Sequence, residues 1–161
     1  MDTTINTFID ITLRPVYHSG TDAPEVTIHW GKQLLWQGVL TETISRTFEV
    51  EGNWGYEYNF GVTLLNKKPG DTVVEDKKIV ADKGVYIDKI TVEGFNFDSI
   101  MHEIRCTDWA RYSDGSPAAT IDPLFGNYVC WNERWDLPIR LPAFTWLHKL
   151  EKLGWIYDDT I

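Results

Sequence analysis

Oxygen-bearing side chains gather once along this chain. Asn66, Asp71, Glu75, Asp76 and Asp82 fall within the stretch NKKPGDTVVEDKKIVAD, whose Pro, Gly and charges mark a loop that stays wet. Hard oxygens of this kind, completed by main-chain carbonyls, are what a calcium ion takes, roughly six to eight at a time. The spacing is not that of an EF-hand, and Lys67, Lys68, Lys77 and Lys78 stand among the acids where they oppose a cation. A solvated, charged hairpin tip is therefore the competing reading. Asp88 is a separate case. By alternation it shares a strand face with Tyr86, Ile90 and Val92, and a carboxylate buried there needs a hydrogen-bonding partner or a metal.

Aromatic side chains are the second chemical resource, since the chain holds eight tryptophans and seven tyrosines and such rings stack on the apolar faces of sugars. Most large rings serve as core. That reading suits Trp30, Trp36, Trp146 and Trp155, which lie inside periodic segments. Trp54 and Tyr56, in and beside the loop Gly52-Asn53-Trp54-Gly55, and Trp109 and Tyr112, in a long aperiodic stretch, have no such reason for burial and are the candidate ligand-binding residues. Catalytic signatures are missing. The sequence has no G-x-S-x-G, no H-E-x-x-H and no P-loop, and its four histidines, His18, His29, His102 and His148, are scattered without metal spacing. The reading is a protein that is not an enzyme.

The elements that must carry these residues are strands. Period-two alternation marks Thr7 to Tyr17, with Pro15 at its end or at a sheet edge, then a hairpin from Glu25 to Trp36 turning at Gly31-Lys32. Further strands are expected over TISRTFEVEG, where Arg46 interrupts the apolar face, over Tyr56 to Leu65, and over VYIDKITVEGFNF. Residues 107–127 read as a long loop excursion, GNYVCWNERWDLPIRLP as a hairpin, and residues 142–153 as one short helix with Pro142 at its start and Gly154 at its C-cap. Strands in this number before any helix predict an all-β, jelly-roll-like β-sandwich with one short C-terminal helix, a single domain over residues 1–161. The net charge of −9 argues against nucleic acid and against an anionic membrane surface. No secretory signal or membrane-spanning stretch is visible, and Cys106 and Cys130 lack metal-site context, leaving open two thiols or one disulfide.

The run NFGVTLLNKKPGDTVVEDKKIVADKGVYIDKITVEGF resembles the closing half of calcium-dependent, xylan-binding-like carbohydrate-binding modules. With Trp131-Asn132-Glu133-Arg134-Trp135 and Pro142-Ala143-Phe144-Thr145-Trp146-Leu147, the chain is also similar to small β-sandwich virion proteins of tailed phages. The resemblance implies a cation held by Asn66, Asp71, Asp82 and Asp88 that grips sugar hydroxyls, making calcium the one cofactor to look for. It implies a binding or structural module, made in a host bacterial cytoplasm and then virion-associated, whose partner is a glycan or a neighbouring virion subunit, with a homo-oligomer admissible. The alternatives are a purely structural interface protein and, more remotely, a small glycan-processing enzyme.

Overall fold

The computed structural model describes residues 3–96, 128–132 and 134–143, with only the backbone of residues 95–96. Eleven strands and one 3-10 turn are found among the described residues. They are β1 (Thr4–Val16), β2 (Glu25–Trp30), β3 (Gln33–Val39), β4 (Ile44–Asn53), β5 (Glu57–Leu64), β6 (Val73–Glu75), β7 (Lys78–Ala81), β8 (Gly84–Val92), β9 (Phe95–Asn96), β10 (Tyr128–Val129) and β11 (Arg134–Arg140). One sheet runs β10-β8-β1-β4 with β9 beside β8, the other runs β11-β5-β2-β3, and β6 and β7 form a separate hairpin. The protein is an all-β sandwich.

Alternation decides which side chains meet between the sheets. From the first sheet come Ile9, Ile11 and Leu13 of β1, Val50 of β4, and Val85, Ile87, Ile90 and Val92 of β8. Val26, Ile28, Trp30, Phe60, Val62, Leu64, Leu137 and Ile139 answer from the second. Trp30 ties the two layers together. Its indole N–H donates to the Glu51 carbonyl of β4 at 2.9 Å, and its ring stacks on Tyr58 of β5 with centroids 5.0 Å apart. Tyr58 in turn lies over Gly52, where an added Cβ would overlap its ring and come within 2.8 Å of a Leu141 methyl. Gly52→Ala is expected to lower stability by about 1–3 kcal/mol through overpacking, read as a shifted denaturant midpoint at unchanged slope.

Three expectations change. Asp88 does not share the face of Ile90 and Val92. The β1–β8 register slips between Thr12, opposite Lys89, and Leu13, opposite Ile87, so Asp88 is the extra residue and turns outward with Lys89 while Ile87 and Ile90 both face the core. The segment GNYVCWNERWDLPIRLP is not a hairpin, because β10 joins the first sheet and β11 the second, the link between them crossing one end of the sandwich. Pro15 lies as expected, one residue from the end of β1 and beyond Leu13, the last β1 residue paired with β4, so that β8 alone is its neighbour and the other side is a local sheet edge. The acidic loop is not wholly wet, since Lys67, Asp71 and Lys83 within or beside it are buried. The expected helix over residues 142–153 and the excursion over 107–127 lie outside the described residues, apart from Pro142 and Ala143.

Candidate functional site

Trp54 and Tyr56 occupy the turn that joins β4 to β5. Gly55 between them takes φ +84°, a left-handed conformation in which a side chain would be strained, and both rings point to solvent, each 63 % exposed. The backbone beneath them is pinned from several sides. Trp54 N–H donates to the Thr3 carbonyl at 3.0 Å, Gly55 N–H to Leu141 at 2.9 Å, Leu141 N–H back to Tyr56 at 3.1 Å, and Asn53 N–H to the Tyr58 hydroxyl at 2.8 Å. Two large exposed rings thus sit on a turn bonded to β1, to β5 and to the end of β11. Exposed Asn53 and Glu57 flank them, with the Arg140 guanidinium 3.9 Å from Glu57.

The oxygen-rich loop lies between β5 and β8, and its two buried ammonium groups organise it. Lys67 Nζ donates to Asp82 Oδ1 at 2.7 Å and to the Cys130 carbonyl at 2.5 Å, and stands 5.7 Å from the Trp131 ring. Thr72 donates to the same Asp82 oxygen at 2.6 Å, and the Tyr128 hydroxyl donates to Oδ2 at 2.8 Å. Lys83 Nζ donates to the Asn66 carbonyl at 2.9 Å and is 3.6 Å from Asp71 Oδ2. Asp71 also accepts from Lys68 N–H at 2.8 Å across the 3-10 turn Pro69–Asp71. Asn66 spends its amide on backbone, accepting from Glu25 N–H at 2.8 Å and donating to Ala23 at 3.0 Å. The β10–β11 link is sewn on by Asn132, which exchanges hydrogen bonds of 2.8 Å with both main-chain groups of Lys67.

Burial alone would raise the Asp82 pKa, but hydrogen bonds from Lys67, Thr72, Tyr128 and the Lys83 amide outweigh it and hold the carboxyl below its usual range. Burial and the bond to Asp82 push the Tyr128 phenol far above its ordinary value. Tyr128 also stacks on Tyr86, centroids 4.4 Å apart, over whose other neighbour, Arg14, Asp88 closes an ion pair at 2.9 Å.

Of the four residues implied as cation ligands, Asn66, Asp71 and Asp82 come together in the loop, while Asp88 lies on the outer face of the first sheet with Arg14. The loop and the aromatic turn do not meet. They stand at opposite ends of β5, whose eight residues span about 25 Å, so loop carboxylates cannot hold the hydroxyls of a sugar ring stacked on Trp54. Trp109, Tyr112 and Cys106 lie outside the described residues. Sequence reasoning missed Trp131, 46 % exposed beside the loop, and the partners Lys67, Thr72, Lys83 and Tyr128. The signal was available in the near match of lysines and acids across residues 66–83. Neither described histidine is placed as a base on a carboxylate: His18 Nε2 meets the Asp71 carbonyl at 2.9 Å, and His29 Nδ1 is buried without a hydrogen-bond partner among the described residues. No group of three or more metal-ligating side chains is found among the described residues, and no helix there is long and apolar enough to cross a membrane.

No family model and no curated protein matches the chain. Among solved structures it is similar to vCBM60, described with two families of calcium-dependent carbohydrate-binding modules linked by circular permutation. The two chains are 15 % identical, 81 % of this chain and 88 % of that one are covered, and the TM-score is 0.40. Calcium and carbohydrate are properties of that module.

Proposed function

We propose that the chain is a non-enzymatic recognition module that binds glycan through Trp54 and Tyr56. The observation that carries this reading is the exposure of both rings on a turn hydrogen-bonded on either side. An aromatic face offers a sugar the apolar side of its ring, and a rigid turn loses little conformational freedom on binding. Asn53, Glu57 and Arg140 supply donors and acceptors for hydroxyls around the rings. A protein interface wants a wider apolar patch at its centre. If the resemblance of the loop to calcium-dependent modules extended to their cation, calcium would be sought at the far end of β5, away from the stacked sugar. The virion setting draws support from the W-N-x-x-W and P-x-F-x-W-L motifs alone.

A glycan array followed by calorimetry on the strongest hit tests the reading. Trp54→Ala and Tyr56→Ala are each expected to weaken binding about thirtyfold, the loss of about 2 kcal/mol typical of a buried aromatic anchor, with unchanged melting temperature. An array without reproducible hits, or variants that bind as well as wild type, would overturn it.

A second reading, attachment to a neighbouring subunit, is favoured by the β6–β7 hairpin, where Val74, Ile79 and Val80 are each more than half exposed. Light scattering separates the two, because an interface at that hairpin predicts self-association or a co-purifying partner that Ile79→Lys abolishes without touching glycan binding.

A further inference from the structure

We infer that Lys67 and Lys83 are the resident cations of the 66–83 loop, standing among oxygens that would otherwise form a divalent-metal site, so that the loop is closed without metal and becomes metal-binding when they are removed. Each ammonium group is nearly buried, the side chains 3 % and 2 % exposed, and each bridges a carboxylate and a main-chain carbonyl. Asp82 has no oxygen to spare, with Lys67 and Thr72 on one and Tyr128 on the other. The Asn66 amide is bonded to backbone at both ends, which leaves only its carbonyl, and Lys83 takes that. Two lysines against Asp71 and Asp82 make a neutral group, to which calcium would add two uncompensated charges while finding far fewer than the roughly six oxygens it requires. Residues at the positions expected to hold an ion therefore do not fit one as the chain stands.

Removing a lysine reverses both conditions. Lys67→Ser frees the Cys130 carbonyl and leaves Asp82 Oδ1 to Thr72, and Lys83→Ser frees the Asn66 carbonyl and leaves Asp71 Oδ2 to the Lys68 N–H. The double variant leaves two carboxylates, Asp71 and Asp82, and two main-chain carbonyls, those of Asn66 and Cys130, without their ammonium partners, open to water and a dication. Binding is read by thermal melts in millimolar calcium against EDTA, and by terbium luminescence, for which Trp131, whose ring is 5.7 Å from Lys67 Nζ, is a built-in sensitiser.

Wild type is expected to melt at the same temperature in calcium and in EDTA and to give no sensitised terbium emission. The double variant is expected to melt about 10 °C lower in EDTA, to recover at least half of that in calcium, and to light terbium. A calcium or EDTA shift in the wild type overturns the inference, and so does a folded double variant with no calcium or terbium response. Should the double variant fail to fold, Lys83→Ser alone is read in its place by the same criteria. Glycan binding at Trp54 is unaffected in either outcome, so failure here and failure of the proposed function are separable.

Discussion

Asp82→Ala is expected to lower the stability of the protein by about 3–5 kcal/mol, the largest loss for any single carboxylate among the described residues. The figure follows from what is left behind. Lys67 Nζ keeps only the Cys130 carbonyl, its charge still buried, and the Tyr128 hydroxyl and Thr72 lose their acceptor. Removing one member of a buried pair strands the other, a cost well above the net value of the intact pair. Asp82→Asn, which keeps an acceptor but not the charge, falls between wild type and alanine. The effect also depends on pH. The folded protein holds the Asp82 carboxyl below its ordinary value, so its contribution is complete above the unfolded pKa of about 4 and is lost as pH falls through the lower, folded value. The gap between wild type and Asp82→Ala, measured by urea unfolding across pH 3 to 8, should therefore be constant above about pH 5 and close on the acid side.

The sandwich was legible wherever one strand face is buried and the other wet. In β1, Ile9, Ile11 and Leu13 alternate with Asp10, Thr12 and Arg14, and the same parity reads β2 and β5. It fails at Asp88, because one extra residue in β8 reverses the parity of everything before it and no local composition announces the slip. It fails again at β10 and β11. Two adjacent strands of hairpin-like sequence separate into different sheets because Cys130 and Asn132 between them are held by Lys67, a partner more than sixty positions away. Arg46 shows the milder case. It stands on the inward parity of β4, but β4 is an edge strand, and its guanidinium covers the Trp36 ring from 5.9 Å instead of entering the core.

The candidate sites divide along the same line. Trp54 and Tyr56 were legible because a Gly-bounded turn gives a large ring nothing to pack against, and exposure is a local property. The lysines were misread for the opposite reason. Whether Lys67 opposes a cation or replaces one depends on where its ammonium group ends, and that is fixed by Asp82, Cys130 and Asn132, none of them a neighbour in sequence. Charge in this loop was visible from composition, whereas its pairing is a tertiary fact.

Trp30→Ala is expected to cost about 3–5 kcal/mol, as large as the loss at Asp82 but arising from volume and not charge. Trp30 is 4 % exposed, and its removal opens a cavity between the sheets, leaves the Glu51 carbonyl without its indole donor, and takes the stacking partner from Tyr58. Trp30→Phe separates these effects. It keeps a ring against Tyr58 and forfeits the hydrogen bond, so it should cost about 1–2 kcal/mol. The consequence reaches the aromatic turn, because the Tyr58 hydroxyl accepts the Asn53 N–H and its ring fills the space over Gly52. A Tyr58 freed on one face no longer fixes the start of the turn, and ordering Trp54 and Tyr56 then falls to the ligand. Trp30→Ala should accordingly weaken glycan binding severalfold at a temperature where the variant is still folded, although Trp30 itself touches no ligand. Amide exchange at Asn53 and Gly55 provides the check. Faster exchange there, with β2 and β5 still protected, is the expected result, and a turn that stays as protected as in wild type would place its rigidity in the Leu141 and Thr3 bonds alone.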